Sequence, residues 1–223
     1  VIGDCVIEAT LASLAADHPE QIRQMIKANR NGTYTVTTPG GLKETVSAPT
    51  DAEPAIGNQS KDYGVWPIVL EKALAQYLNG QENDQGPHRS RPYADLSTVW
   101  EGADPKEALA FLTGKLFTGV MVDPRADQQF IGEFMADALA GKRLLITSAD
   151  KTMSRKTADG FTGFHAYSVI AFDQKGLDGG TVTLRNPWGG QNGTSSGEWQ
   201  MSLKEFCRNF EEVYTSSGIP AKN

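Results

Sequence analysis

VIGDCVIEATLASLAA, residues 1–16, is the stretch whose reading decides the fold. Gly3 and Asp4 make a turn, and Ile7, Leu11 and Leu14 then recur at helical spacing, with Ala9, Ala12 and Ala16 on the side that follows Cys5. Asp4 is the candidate N-cap, because its carboxylate can accept a hydrogen bond from an orphan helix N–H. Cys5 therefore stands in the first helical turn. A thiolate there feels the positive end of the helix dipole, which predicts a lowered pKa and a stronger nucleophile at neutral pH. Taken by itself, such a residue is more often a small core cysteine.

Beyond this helix the chain alternates. Pro19 opens a second helix, with Ile22, Met25 and Ile26 on its apolar face and Asn31-Gly32 as its stop. Residues 33–37 and 42–48 predict a hairpin across Pro39-Gly40-Gly41. Helices are expected over 65–78 (stopped by Asn79-Gly80), over 105–113 (capped by Asp104), over 127–140 and over 203–210. Strands are expected over 143–148, 164–172 and 181–185, with polar loops at 81–91, 150–162 and 174–180. Helices lead the first part and strands the last, so the expectation is an α+β protein of two unlike lobes. The division falls at residues 1–115, a helical lobe carrying Cys5, and 116–223, a lobe with an antiparallel sheet.

The composition narrows the function. The chain has 223 residues, is 39% hydrophobic and carries a net charge of −6 with no basic run, which argues against nucleic acid as the partner. No apolar run approaches a membrane span. Two cysteines, Cys5 and Cys207, build no disulfide framework, and with three histidines and no C-x-x-C there is no structural zinc pattern. Cys207 reads as core. The first residue is Val1, so the expectation is a piece of a longer chain.

A cysteine nucleophile needs a base. His18 stands at the far end of the Cys5 helix, roughly 20 Å away at 1.5 Å per residue, and reads as a cap or surface residue. His88 lies in a polar loop and reads as solvated. His165 opens the apolar run His-Ala-Tyr-Ser-Val-Ile, where a strand end can hold an imidazole over a cleft, although a lone histidine there is more often a satisfied core residue. An imidazole base also needs an orienter. Asn186 follows the next strand, which places it beside His165 if the two strands are neighbours, and Trp188 is near enough to cover their hydrogen bond. Read without that context, Asn186 is an ordinary turn residue before Pro187.

These segments resemble the calpain family of cysteine proteases. Gly3-Asp4-Cys5, with Ala9, Ala12, Ser13 and Leu14, is similar to the family's nucleophile helix. His165-Ala166-Tyr167-Ser168-Val169 is similar to its histidine segment, and Leu184-Arg185-Asn186-Pro187-Trp188-Gly189 to its asparagine segment. WPIVLEKALA, residues 66–75, resembles its Trp-x-x-x-Leu-Glu-Lys-Ala helix. The resemblance implies a papain-like fold of two lobes, with Cys5 as nucleophile, His165 as general base and acid, Asn186 as orienter, Trp188 as shield, and Asp4 and Phe164 as further active-site support. The implied reaction is endopeptidase cleavage of a protein substrate through a thioester.

The chain departs from the family at several positions. Val6 stands where the family has tryptophan, Glu8 where it has leucine, and Phe164 where it has glycine, beside the path of a substrate backbone. The family's oxyanion-hole glutamine, six residues before the nucleophile, falls before Val1. No cofactor is required by the residues; calcium enters through the resemblance alone, since no D-x-[DN]-x-[DN]-G loop is present. A thiol nucleophile suits a reducing, cytosol-like compartment, and delivery there as a secreted effector is compatible with that, though no residue carries it. Two alternatives stand beside the protease: a deamidase or acyl transferase using the same thioester chemistry, and a degenerate protease fold kept as a binding module.

Overall fold

A computed structural model describes residues 4–53, 64–82, 104–122, 128–149, 163, 165–189 and 197–217. Phe164, His88 and the loops expected at 83–91 and 150–162 lie outside the described residues. Six helices and nine strands are described: α1 (Cys5–Asp17), α2 (Pro19–Met25), β1 (Ile26–Ala28), β2 (Thr33–Thr37), β3 (Lys43–Ser47), α3 (Trp66–Glu82), α4 (Pro105–Thr113), β4 (Phe117–Met121), α5 (Gln128–Ala140), β5 (Leu145–Ala149), β6 (Ala166–Asp173), β7 (Thr181–Arg185), β8 (Glu198–Ser202), α6 (Leu203–Asn209) and β9 (Phe210–Ser216). The protein is α+β, with its strands in antiparallel sheets.

The small sheet has the order β1-β2-β3, and its hairpin pairs Thr33 with Ser47 and Thr37 with Lys43. The large sheet has the order β4-β9-β5-β6-β7-β8. Its faces are read out by the strand period of two. Ile146 of β5 and Ala166 of β6 turn to one side, into a core built from α1, α2, α3, α4 and the small sheet. Leu145, Tyr167 and Val169 turn to the other side, into a second core with α5 and α6. Helix α1 is thus pressed between helices and sheet. Val6 through Leu11, Ser13 and Leu14 are all buried, a fuller burial than one apolar stripe predicts.

Polar atoms inside that packing tie α1 to the sheet. Ser168 Oγ donates to the Ala9 carbonyl at 2.7 Å, and Ser13 Oγ accepts the Leu145 N–H at 3.3 Å. Each satisfies a group that burial would otherwise leave without water. His18, expected as a cap or surface residue, is the C-cap of α1, and its Nε2 lies 2.6 Å from the Lys142 carbonyl.

Local signals set some boundaries and tertiary pairing set others. Asp104 accepts the Lys106 N–H at 2.9 Å and Gly114 closes α4 in the left-handed region, as capping chemistry predicts. The second helix does not reach Asn31-Gly32. It stops at Met25, and Ile26 begins a strand paired with Val36. Helix α3 runs through Asn79-Gly80 to Glu82, since a single glycine costs a helix only about 1 kcal/mol and is no obligatory stop. Phe210, expected at the end of the last helix, opens β9, which lies between β4 and β5. Sheet pairing on both sides overrides the helical spacing of Phe206 and Phe210.

Candidate active site

Three elements meet at the start of α1. The helix brings Cys5, the residue before β6 is His165, and the residue after β7 is Asn186. Strands β6 and β7 are antiparallel neighbours, with Val169 opposite Leu184 and Ser168 opposite Arg185. That pairing sets His165 and Asn186 side by side, as the sequence spacing predicts. The His165 Nε2 and the Asn186 Oδ1 are 3.0 Å apart. The amide oxygen can only accept, so Nε2 carries the proton. The other ring nitrogen, Nδ1, is buried and has no hydrogen-bond partner among the described residues.

Cys5 is half-buried, and the N–H of Ala166, the residue that follows His165, is near enough to its thiol to favour the thiolate. Trp188 covers the imidazole: the ring centroids are 3.9 Å apart and the planes are tilted by 39°. On another side Tyr167 meets the imidazole edge-on at 4.6 Å. The Trp188 N–H donates to the same Asn186 oxygen at 3.0 Å, so a single amide orients both residues.

The turn bearing Asn186 and Trp188 is pinned from outside. The Asn186 N–H donates to the Gly197 carbonyl at 2.9 Å. Gly197 has φ +68°, and a Cβ there would lie 2.6 Å from the Gly189 carbonyl carbon. Only glycine fits this crossing. Ser13, Tyr167 and Ser168 belong to the motifs without a role assigned to them there, and Gly197 lies outside the motifs; all four support the site. A hydroxyl within an apolar run flags Ser13 and Ser168, whereas nothing in a Gly/Ser-rich loop singles out Gly197.

Two local expectations are overturned. Asp4 makes no capping bond to its helix. Its carboxylate instead accepts the Trp188 indole N–H at 3.4 Å. The Cys5 thiol is not lowered either. Burial pushes its pKa above the usual thiol range; the Ala166 N–H pulls it back in part, and the neighbouring Asp4 charge pushes it further up. Burial pushes His165 the other way, down to about 4, against the opposing pull of the Asn186 hydrogen bond. Desolvation disfavours both charged forms, so the resting site holds a thiol and a neutral imidazole. Asp4 is itself raised by burial.

Among the described residues no three His, Cys, Asp or Glu side chains converge as metal ligands, so they form no calcium cage and no step below passes through calcium. No described helix is long and apolar enough to cross a membrane.

What the site assembles is a thiol beside the strand that carries an imidazole, with an amide on the imidazole's far nitrogen. Residues 1–206 match the family described as calpain family cysteine protease, and the chain belongs to that family. Comparison with curated proteins finds no match.

Proposed function

We propose that the protein is a calpain-like endopeptidase that cleaves protein substrates through a thioester formed on Cys5, with His165 and Asn186 completing a triad. The observation that carries this reading is the state of His165. Its Nε2 is committed to Asn186 while its buried Nδ1 has no partner among the described residues, and the next residue, Ala166, turns its N–H towards the Cys5 thiol. An unsatisfied buried nitrogen costs about 1–3 kcal/mol, a cost that a catalytic base offsets by having a proton to take.

In the first half-reaction the Cys5 sulfur attacks the scissile carbonyl carbon while its proton passes to Nδ1. The tetrahedral intermediate collapses with cleavage of the C–N bond, and the imidazolium returns that proton to the departing amine. Water then attacks the thioester, giving a proton to Nδ1; the C–S bond breaks, the sulfur recovers the proton and the new carboxyl terminus leaves. The N–H groups of the first turn of α1, which have no intrahelical acceptor, are the donors the chain offers a developing oxyanion. Because the resting pair is neutral, sulfur attack and proton transfer are coupled. A papain-like division into lobes at residues 1–115 and 116–223 belongs to the same proposal. It is supported by the two hydrophobic cores: among the described residues, the first takes Leu144, Ile146, Ala166 and Tyr214 from beyond residue 115, with Phe117 packed against it.

The test is cleavage of unfolded protein substrates, read as new amino termini by mass spectrometry, with Cys5→Ala as control. New termini that vanish in the variant are expected. A mass gain of about one dalton at glutamine in an intact substrate marks deamidation instead. A second reading, a binding module with a silent site, is favoured by one observation, the upward push on Cys5 combined with the downward push on His165. It prevails if no substrate is changed and Cys5→Ala binds partners as the parent does.

A further inference from the structure

Asp4 is a helix-terminal aspartate whose carboxylate does not serve its own helix. At this position an aspartate ordinarily accepts an N–H from the first turn; Asp4 makes no such bond. It is only 4% exposed. A carboxylate so desolvated needs a donor. The donor it has from across the molecule is the Trp188 indole N–H, 3.4 Å away and 184 residues further along the chain.

Trp188 is consequently held at two points. Its backbone N–H is tied to Asn186 and its indole N–H to Asp4, and between them the ring lies over His165. The residue keeps 38% of its surface exposed. The ring is therefore partly open to water, and the indole bond to Asp4 is the side-chain tie that holds it against the imidazole. We propose that Asp4 is a positioning residue for His165: by holding the Trp188 indole it fixes the ring that covers the imidazole and shields its bond to Asn186. The proposal rests on the reading of His165 as the base.

The test uses the full chain with Asp4→Ala, Asp4→Asn and Trp188→Phe. One readout is the indole 1H–15N signal of Trp188, assigned by its loss in Trp188→Phe. The other is the alkylation rate of Cys5 at a fixed pH, counted as the share that His165→Ala abolishes, with Cys207 as internal control. Asp4→Ala is expected to move the indole signal towards that of a solvent-exposed indole and to lower the rate roughly five- to tenfold, the weight of one hydrogen bond. Asp4→Asn keeps an accepting oxygen, so it retains the indole signal and recovers most of the rate. Both variants lose the carboxylate charge, and the difference between them therefore reports the hydrogen bond alone.

Trp188→Phe keeps a ring and loses the donor. Relative to the parent it should lose about the rate that separates Asp4→Ala from Asp4→Asn, and adding it to Asp4→Ala should lower the rate no further. An unmoved indole signal in Asp4→Ala, equal rates in the two Asp4 variants, or a Trp188→Phe rate equal to the parent's overturns the proposal. The last comparison stands even if Asp4→Ala does not fold. Neither readout needs a peptide substrate. A clamp that is present in a protein that cleaves nothing counts against the protease reading, whereas an absent clamp with cleavage intact counts against Asp4 alone.

Discussion

The two cysteines stand in two helices on opposite faces of the large sheet. Cys5 begins α1 and packs against the first core, and Cys207 lies inside α6 in the second. Burial raises both thiols, Cys207 to about 11. The N–H groups of Cys5 and Val6 at the helix start pull the Cys5 thiol down, but burial outweighs them. What separates them is the neighbours: Cys5 has the Ala166 N–H, with His165 one residue away, whereas burial alone acts on Cys207. The reactivity proposed for Cys5 thus rests on what another strand brings to it.

The largest way to break this comparison is to exchange the two sites. Cys5→Ala should abolish turnover, whereas Cys207→Ala should keep it and lose about 1 kcal/mol of stability, as ordinary core substitutions do. Equal loss of turnover in both variants would sink the distinction. Removing the base should lower turnover by about 10²–10⁴, so His165→Ala is the next largest effect, measured with any substrate that the parent cleaves.

Acid should also expose His165. Its pKa is about 4 when folded against an ordinary 6.5, so the unfolded chain binds more protons between those values. Stability should therefore fall as pH drops from about 6.5 to 4, by up to about 3 kcal/mol from this residue. Denaturant titrations across that range should show a shallower fall in His165→Ala; identical slopes would mean that the imidazole is not desolvated.

The Cys5 alkylation profile should rise at a higher pH than that of an ordinary thiol, and Asp4→Asn should move it down, because a negative charge beside the sulfur is removed. The smallest effect sharpens the link between α1 and β6. Ser168→Ala removes the 2.7 Å bond to the Ala9 carbonyl and should cost about 1 kcal/mol in unfolding free energy. It should leave the Cys207 rate unchanged and slow Cys5 modestly.

Much of the fold was legible where local chemistry decides it. Asp104 and Gly114 mark both ends of α4, and the β2–β3 hairpin follows from its turn and its β-branched residues. Cys5, His165 and Asn186 were legible as motif residues, and their spacing predicts the β6–β7 neighbourhood. Less legible were segments whose state depends on distant partners. Ile26 continues a helical face in sequence, but its pairing with Val36 makes it a strand. Phe210 to Ser216 form β9 because β4 and β5 receive them on either side. The capping bond expected of Asp4 fails for the same reason, since the indole its carboxylate meets, Trp188, is 184 residues away.

The sequence by itself determined the α+β class, the family and the order of the Cys5, His165 and Asn186 motifs, because side-chain type, order and spacing are properties of the chain. Only the tertiary structure decided the protonation of those residues, the partner of Asp4 and the order of the large sheet. Desolvation and hydrogen bonding depend on which atoms surround a group, and here those atoms come from elements far apart in the chain.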